Sequence, residues 1–284
     1  MQGLDSRAHS ILAGLRADFQ SGATQLALNT LDQLLSYLDE VGPDVEVLSR
    51  LLAELRAARP TMCVIGNALA MIEQRLTCGP QAARTAIIDT RNQLQDATAV
   101  IAGHARRHLP KNPVIMTHSA SSMVLALFRS MAEHNQPFSV ICTQSSPGFE
   151  GHSLALALNE LSIPVTLITD AQMGLFVPQA DVVITGCDTW LADGCFINKS
   201  GTHLLALAAR AAEKPFWVLA DSFRNSDVDS GSVELEEMPG EELKAPEGDW
   251  ITPRNVYFER VPQSLVSQRI SEQGVFSCPA GPRR

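Results

Sequence analysis

Asp181 to Ala208 reads DVVITGCDTWLADGCFINKSGTHLLALA. Its opening apolar run, Val182 to Thr185, reads as a short buried strand. The strand stops at Gly186 and leaves Asp188 just past its carboxyl end. Asp193-Gly194 supplies turn chemistry. Asn198-Lys199-Ser200-Gly201-Thr202 then leads into an Ala/Leu-rich helix. Free backbone N–H groups at such a helix start, with Lys199 beside them, suit an anion such as phosphate. Ligands of parallel α/β sheets sit outside the carboxyl ends of the strands. The segment therefore offers a carboxylate and an anion cradle at one edge.

Working outward, the pattern around this segment is an alternation. Short apolar strands are expected at Val114 to Thr117, Phe138 to Thr143, Pro164 to Thr169, Val182 to Thr185 and Phe216 to Ala220, with a last one at Asn255 to Phe258. Helical stretches separate them at Ser122 to His134, His152 to Leu161, Ala171 to Val177 and Leu204 to Ala212. Repeated βα units with apolar strands predict a parallel, doubly wound α/β sheet. Upstream, residues 1–108 carry only helical spacing: Leu12, Leu15 and Phe19, then Leu28, Leu31, Leu34, Leu35 and Leu38. Gly42-Pro43 breaks it, Pro60-Thr61 starts a further helix, and Ala82 to His108 is a long final one. The expectation is a helical N-terminal domain, 1–108, followed by a parallel-sheet domain, 109–284.

Composition bounds the rest. The chain has 284 residues and a net charge of −9. Nine acids and one base between Asn225 and Asp249 carry −8 of it. That acidic loop, about 225–250, reads as a mobile, solvated excursion, with a lid over the site as the alternative. The remainder is near neutral, so the acidity says little about the folded body, but it argues against non-specific nucleic-acid binding, and no nucleic-acid partner is expected. The six cysteines form no C-x-x-C pair, and no metal site is expected. The N-terminus lacks the form of a signal peptide, and no run is long enough for a membrane span, so the expected compartment is the cytoplasm.

Polar groups gather where the strands end. They are Thr117-His118-Ser119 after the first, Thr143-Gln144-Ser145-Ser146 after the second, then Asp170, Asp188 and Asp221. Each alone reads equally as a helix cap; five at one edge point to a polar ligand. No G-x-G-x-x-G or Walker loop is present, and no cofactor is expected. His118 reads as a general base or as hydrogen-bonded structure. Arg59 before Pro60 is a second anion candidate.

These motifs resemble those of a known group. GCDTWLADGCFINKSGTHLLALAA and KPFWVLADSF, with ARPTMCVIGNAL, VIMTHSAS, VICTQSSPGFEGHSLALAL, IPVTLITDAQMGLFVPQADVVITG and NVYFERVP, are similar to the initiation factor 2B alpha/beta/delta and sugar-phosphate isomerase superfamily. The resemblance runs from about Arg59 to the end. It implies a Rossmann-like second domain, a phosphorylated small-molecule ligand and a homodimer or higher homo-oligomer. Isomerases of that group carry a catalytic Cys and a catalytic Asp. Here the Asp is Asp188 and the Cys position holds Ser119, a far weaker acid than a thiol. Their phosphate and sugar contacts match Arg59, Asn198, Lys199 and Gly201, and Thr117, His118, Ser145 and Ser146 flank the same edge. The Arg of their next loop is missing from Thr143-Gln144-Ser145-Ser146-Pro147. Cys142 and Cys187 are the thiols that could replace the lost one, with packing as the other role for both. Two functions follow: an aldose–ketose isomerase acting on a phosphorylated pentose, or a non-catalytic initiation factor 2B-like regulator or scaffold that binds a sugar phosphate.

Overall fold

The computed structural model describes residues 4–18, 21–42, 44–59 and 62–278. Phe19, Pro43 and the expected helix start at Pro60-Thr61 lie outside these. Five helices come first: α1 (Ser6–Ala17), α2 (Ala23–Val41), α3 (Val45–Ala58), α4 (Cys63–Leu76) and α5 (Pro80–His108). Asp5 and Asp44 cap α1 and α3 by accepting from backbone N–H groups. Pro80 sits in the first turn of α5, and Arg106, Arg107 and His108 close its last turn, where cations oppose the helix dipole. The apolar stripes of all five meet in one core around Leu34, Leu51, Leu55, Ile65, Ile72 and Ile87. Helix α5 is long enough to enter a second core through Ile101, Ala102 and Ala105.

The α/β part follows as β1 (Val114–Thr117), α6 (Ser122–Glu133), β2 (Ser139–Thr143), α7 (Glu150–Glu160), β3 (Val165–Ile168), α8 (Met173–Phe176), β4 (Val182–Thr185), β5 (Thr189–Trp190), β6 (Cys195–Lys199), α9 (Thr202–Ala211), β7 (Phe216–Leu219), β8 (Phe258–Pro262), β9 (Gln268–Ser271) and β10 (Gly274–Ser277). The main sheet runs β10-β9-β7-β4-β1-β2-β3. Strands β9 to β3 pair in parallel, and β10 closes the edge antiparallel to β9. The period-2 rule assigns its faces. Val182, Ile184, Trp217 and Leu219 pack with α5, α6 and α7, while Val183, Phe216 and Val218 pack with α9. The sheet is thus doubly wound, as the βα alternation predicts.

Three elements differ from the expectation. The stretch 189–199 is not a plain loop: β5 and β6 pair antiparallel and join β8 in a second, three-stranded sheet. The last expected strand, Asn255 to Phe258, begins later, at Phe258, and belongs to that small sheet. The β9–β10 hairpin, which has no helix between its strands, completes the large sheet instead. The acidic loop is tied down along its length. Ser226 N donates to Trp190 O, Met238 N to Asn255 O, and Arg260 Nε to Ser230 O.

Candidate functional site

Strand order reverses between β1 and β4, because the chain builds β1, β2 and β3 to one side and returns to the other for β4 and β7. A crevice is expected at such a switch point, and a cavity of about 230 Å3 opens there. Ser119 to Ser122 line it from the end of β1, and Gly186 to Asp188 from the end of β4. Asn198, Lys199, Tyr257 and Phe258 come from the small sheet and Glu150 from the start of α7. The N-terminal helices close it with Ser21 to Ala23, Arg59 and Met62, and the acidic loop adds Glu236 and Met238. A side chain at Gly186 would collide with Ser121 Oγ, so the two loops meet through a glycine.

Asp188 lies on this wall, half-buried. Burial raises its pKa to about 6, and Glu236 and Glu150 push the same way, while Arg224 and Lys199 oppose without prevailing. Neither cation closes on it. Arg224, itself buried, is bound to Asp221, and Lys199 pairs with Glu150 at 2.6 Å. Arg224 also donates from Nε to the carbonyl of Cys187, next to Asp188, and from Nη2 to Thr24 Oγ1 at 2.7 Å. One guanidinium therefore joins the β4 loop to the first turn of α2. Burial opposes its charge, but Asp221, Cys187 and Asp188 together more than offset that and hold it protonated.

His118 is fixed structure. Its Nε2 lies 2.8 Å from the Ser200 carbonyl, which can only accept, so Nε2 carries the proton. Its Nδ1, 2.6 Å from Thr143 Oγ1, then accepts from that hydroxyl. Ser145 Oγ lies 3.0 Å from Thr143 Oγ1 and accepts from the backbone N–H of Ser119 at 2.7 Å. Burial lowers the His118 pKa, in keeping with a neutral ring. Ser119 and Ser145 both take positive φ, 64° and 61°, a conformation that costs free energy outside glycine. Ser145 N and Ser146 N donate to Asp170 at 2.9 and 2.7 Å. Thr117, Ser145 and Ser146 thus stand behind the wall rather than on it, and Thr117 is buried.

The expected anion cradle is already filled. Gly201 N and His203 N donate to Glu259 Oε1 at 2.6 and 2.8 Å. The β6–β8 register, Asn198 opposite Glu259, delivers that carboxylate to the start of α9. Asn198 Nδ2 is spent on Thr202 Oγ1 at 2.9 Å. Gly201 itself has φ +106°, and a Cβ there would sit 2.7 Å from His118 Nε2, so its role is close packing. Of the predicted residues, the cavity brings together Arg59, His118, Ser119, Asp188, Asn198 and Lys199; Thr117, Ser145, Ser146 and Gly201 lie outside it. Cys142 is buried and its thiol pushed up to about 11, and Cys187 is raised further still. Neither is a thiolate near neutrality.

Glu150, Arg224, Tyr257, Glu236 and Glu259 escaped the sequence reading. Glu150 looks like any acid in a first helical turn, and Glu259 like any acid on a strand. Only the Asp221-x-x-Arg224 spacing hinted at a buried pair. Among the described residues no cluster of His, Cys, Asp and Glu could hold a metal ion, and no helix is long and apolar enough to cross a membrane.

Comparison with known proteins identifies the family and the fold. A translation initiation factor eIF-2B subunit 2-like protein of Pyrococcus abyssi is 31% identical over 277 residues, 96% of this chain and 97% of that one. The ribose 1,5-bisphosphate isomerase of Archaeoglobus fulgidus is 29% identical over 264 residues, 89% of this chain and 84% of that one. The crystal structure of the Pyrococcus horikoshii OT3 translation initiation factor eIF-2B superposes with a TM-score of 0.87 at 32% identity, over 97% of this chain and 98% of that one. A family model matches residues 16–278, and the chain belongs to the Initiation factor 2 subunit family.

Proposed function

We propose that the cavity binds a phosphorylated pentose or a related phosphorylated small molecule, and that Asp188 catalyses its aldose–ketose isomerisation by moving a proton between neighbouring carbons. One observation carries this reading. Asp188 is a carboxyl with a pKa near 6 on the wall of a switch-point cavity, closed in no salt bridge among the described residues. Such a group takes and returns a proton near neutral pH. With Ser119 in place of a thiol, and Cys142 and Cys187 protonated, no thiolate takes part, and proton transfer is assigned to Asp188. The buried guanidinium of Arg59 holds the ligand's anionic group. Ser119 hydrogen-bonds the sugar. Self-association fits Leu156, Leu167, Leu175, Leu204 and Leu207, all left exposed. They lie on α7, the sheet-edge strand β3, α8 and α9, where α7 touches β3 and α8 touches α9.

A second reading is a non-catalytic ligand sensor of the initiation factor 2B kind, favoured by Ser119 and by the names of relatives such as the Pyrococcus abyssi protein. Calorimetry and NMR with ribose 5-phosphate, ribose 1-phosphate and ribose 1,5-bisphosphate separate the two. The isomerase binds and converts at least one of them, and Asp188→Asn keeps binding while losing conversion. Binding without turnover selects the sensor. No binding of any of them removes both.

A further inference from the structure

A second cavity, of about 310 Å3, opens beside β7, β9 and β10 and shares no lining residue with the first. Three carboxylates stand on the wall of the first, Glu150, Asp188 and Glu236; among the described residues no Asp or Glu lines the second. Its cation is Arg269 on β9. Arg269 Cζ lies 4.4 Å over the centre of the Trp190 ring, and Trp190 is itself stacked on Phe196 with 5.6 Å between ring centres. Nη2 of Arg269 donates to the carbonyls of Ala220 and Asp221 and, at 2.7 Å, to Asn225 Oδ1. These contacts fix the guanidinium without neutralising it, because every acceptor is uncharged. The nearby carboxylates are engaged elsewhere, Asp221 with Arg224 and Glu272 with the backbone N–H of Ser222. Burial lowers the Arg269 pKa, and the neighbouring acids only partly offset it. A half-buried cation without a counter-ion is costly, and an oxyanion beside it would offset that cost. Nη1 makes no hydrogen bond among the described residues and, unlike Nε, is not shut off from water. Asn225 accepts through Oδ1 and so keeps Nδ2 as a second donor, and the hydroxyls of Ser222 and Ser271 add two more on the wall. Phe276, opposite Arg269 in the β9–β10 register and 47% exposed, supplies an apolar side.

We infer that this second cavity binds a small organic oxyanion, a carboxylate or a phosphate ester, with its charged end on Arg269 Nη1 and Asn225 Nδ2 and its apolar part against Phe276. Two donors on adjacent groups suit the paired oxygens of either oxyanion. The guanidinium is already held in place by Trp190 and three acceptors, so little side-chain freedom is lost on binding. A neutral molecule of the same shape would fill the space and leave the charge uncompensated. The site stands apart from the first cavity and holds whether or not that one takes a sugar phosphate.

The test is NMR of the 15N-labelled protein titrated with phenyl phosphate, benzoate and benzyl alcohol, each to about 10 mM, which reaches millimolar dissociation constants. The backbone amide signals of Ser222, Asn225 and Ser271 report on the site. At least one of the two anions is expected to move them, binding tenfold or more tightly than the alcohol; the pair of anions shows which oxyanion is preferred. Arg269→Gln is expected to weaken that anion tenfold or more. Phe276→Ser, at a half-exposed position on the edge strand β10, is expected to weaken it at least threefold. Signals that stay still with both anions overturn the inference, as does benzyl alcohol binding equally well. Shifts confined to Ser119 and Lys199 would put the anion in the first cavity and overturn it too. Unchanged affinity in a folded Arg269→Gln has the same force; should that variant not fold, the wild-type comparison of anion with alcohol and the Phe276→Ser titration decide.

Discussion

Replacing Asp188 by Asn should stabilise the protein, and by an amount that depends on pH. The carboxyl has a pKa of about 6 in the fold, chiefly from burial, against 3.8 unperturbed. The folded state therefore holds a proton between these values that the unfolded chain has released. Stability from this group is fully present at low pH and is lost as pH rises from about 4 to about 6. A pKa raised by about two, at about 1.4 kcal/mol for each pH unit, gives roughly 3 kcal/mol of destabilisation by neutral pH. Asn carries no charge and escapes that loss, although its amide has desolvation costs of its own. Those costs do not titrate, so the pH dependence of the difference isolates the carboxyl. Urea unfolding of both proteins at half-unit steps from pH 4 to pH 8 measures it. The stability of Asp188→Asn minus that of wild type should rise by roughly 3 kcal/mol across the range and flatten above pH 7. A difference that stays flat would mean that Asp188 ionises as freely as a surface residue, and the case for it as an acid–base group would go.

Other outcomes follow from the same contacts. Arg224→Met strips the buried Asp221 of its partner and should cost about 3–5 kcal/mol in urea unfolding; the Asp221→Asn/Arg224→Met double variant should recover more than about 1 kcal/mol of that. Gly201→Ala demands a side chain at φ +106° against His118 and should lose roughly 1–3 kcal/mol, read as a lower urea midpoint. Iodoacetamide on the native protein at pH 7.5 should label the exposed Cys78 and leave Cys142 and Cys187 untouched, by mass spectrometry of peptides; rapid labelling of either buried thiol would reopen it as a nucleophile.

Much of the architecture was legible because it rests on local pattern. The apolar runs at Val182 to Thr185 and Phe216 to Leu219 are short, buried on both faces and separated by helical spacing, which leaves little alternative to a parallel sheet. The small sheet was hidden because β6 ends in Asn198-Lys199 beside a turn, and its pairing with β8 joins segments far apart in the chain, which no local signal announces. The site divides the same way. Asp188 and Ser119 follow from the rule that strand ends carry function. The anion cradle did not survive because a helix N-terminus looks equally open in a sequence whether or not a distant carboxylate occupies it. Glu259 does so here through strand register. The partners of Lys199 were hidden for a similar reason, since Glu150 and Tyr257 come from two other elements.

The most direct test follows 1H and 13C NMR spectra of ribose 5-phosphate, ribose 1-phosphate and ribose 1,5-bisphosphate incubated with wild-type protein and with Asp188→Asn. Conversion of at least one aldose to its ketose by the wild type, lost by a factor of a hundred or more in the folded variant, is the expected result, a loss in the range that acid–base groups supply. Conversion that continues undiminished without the carboxyl at position 188 would contradict the account.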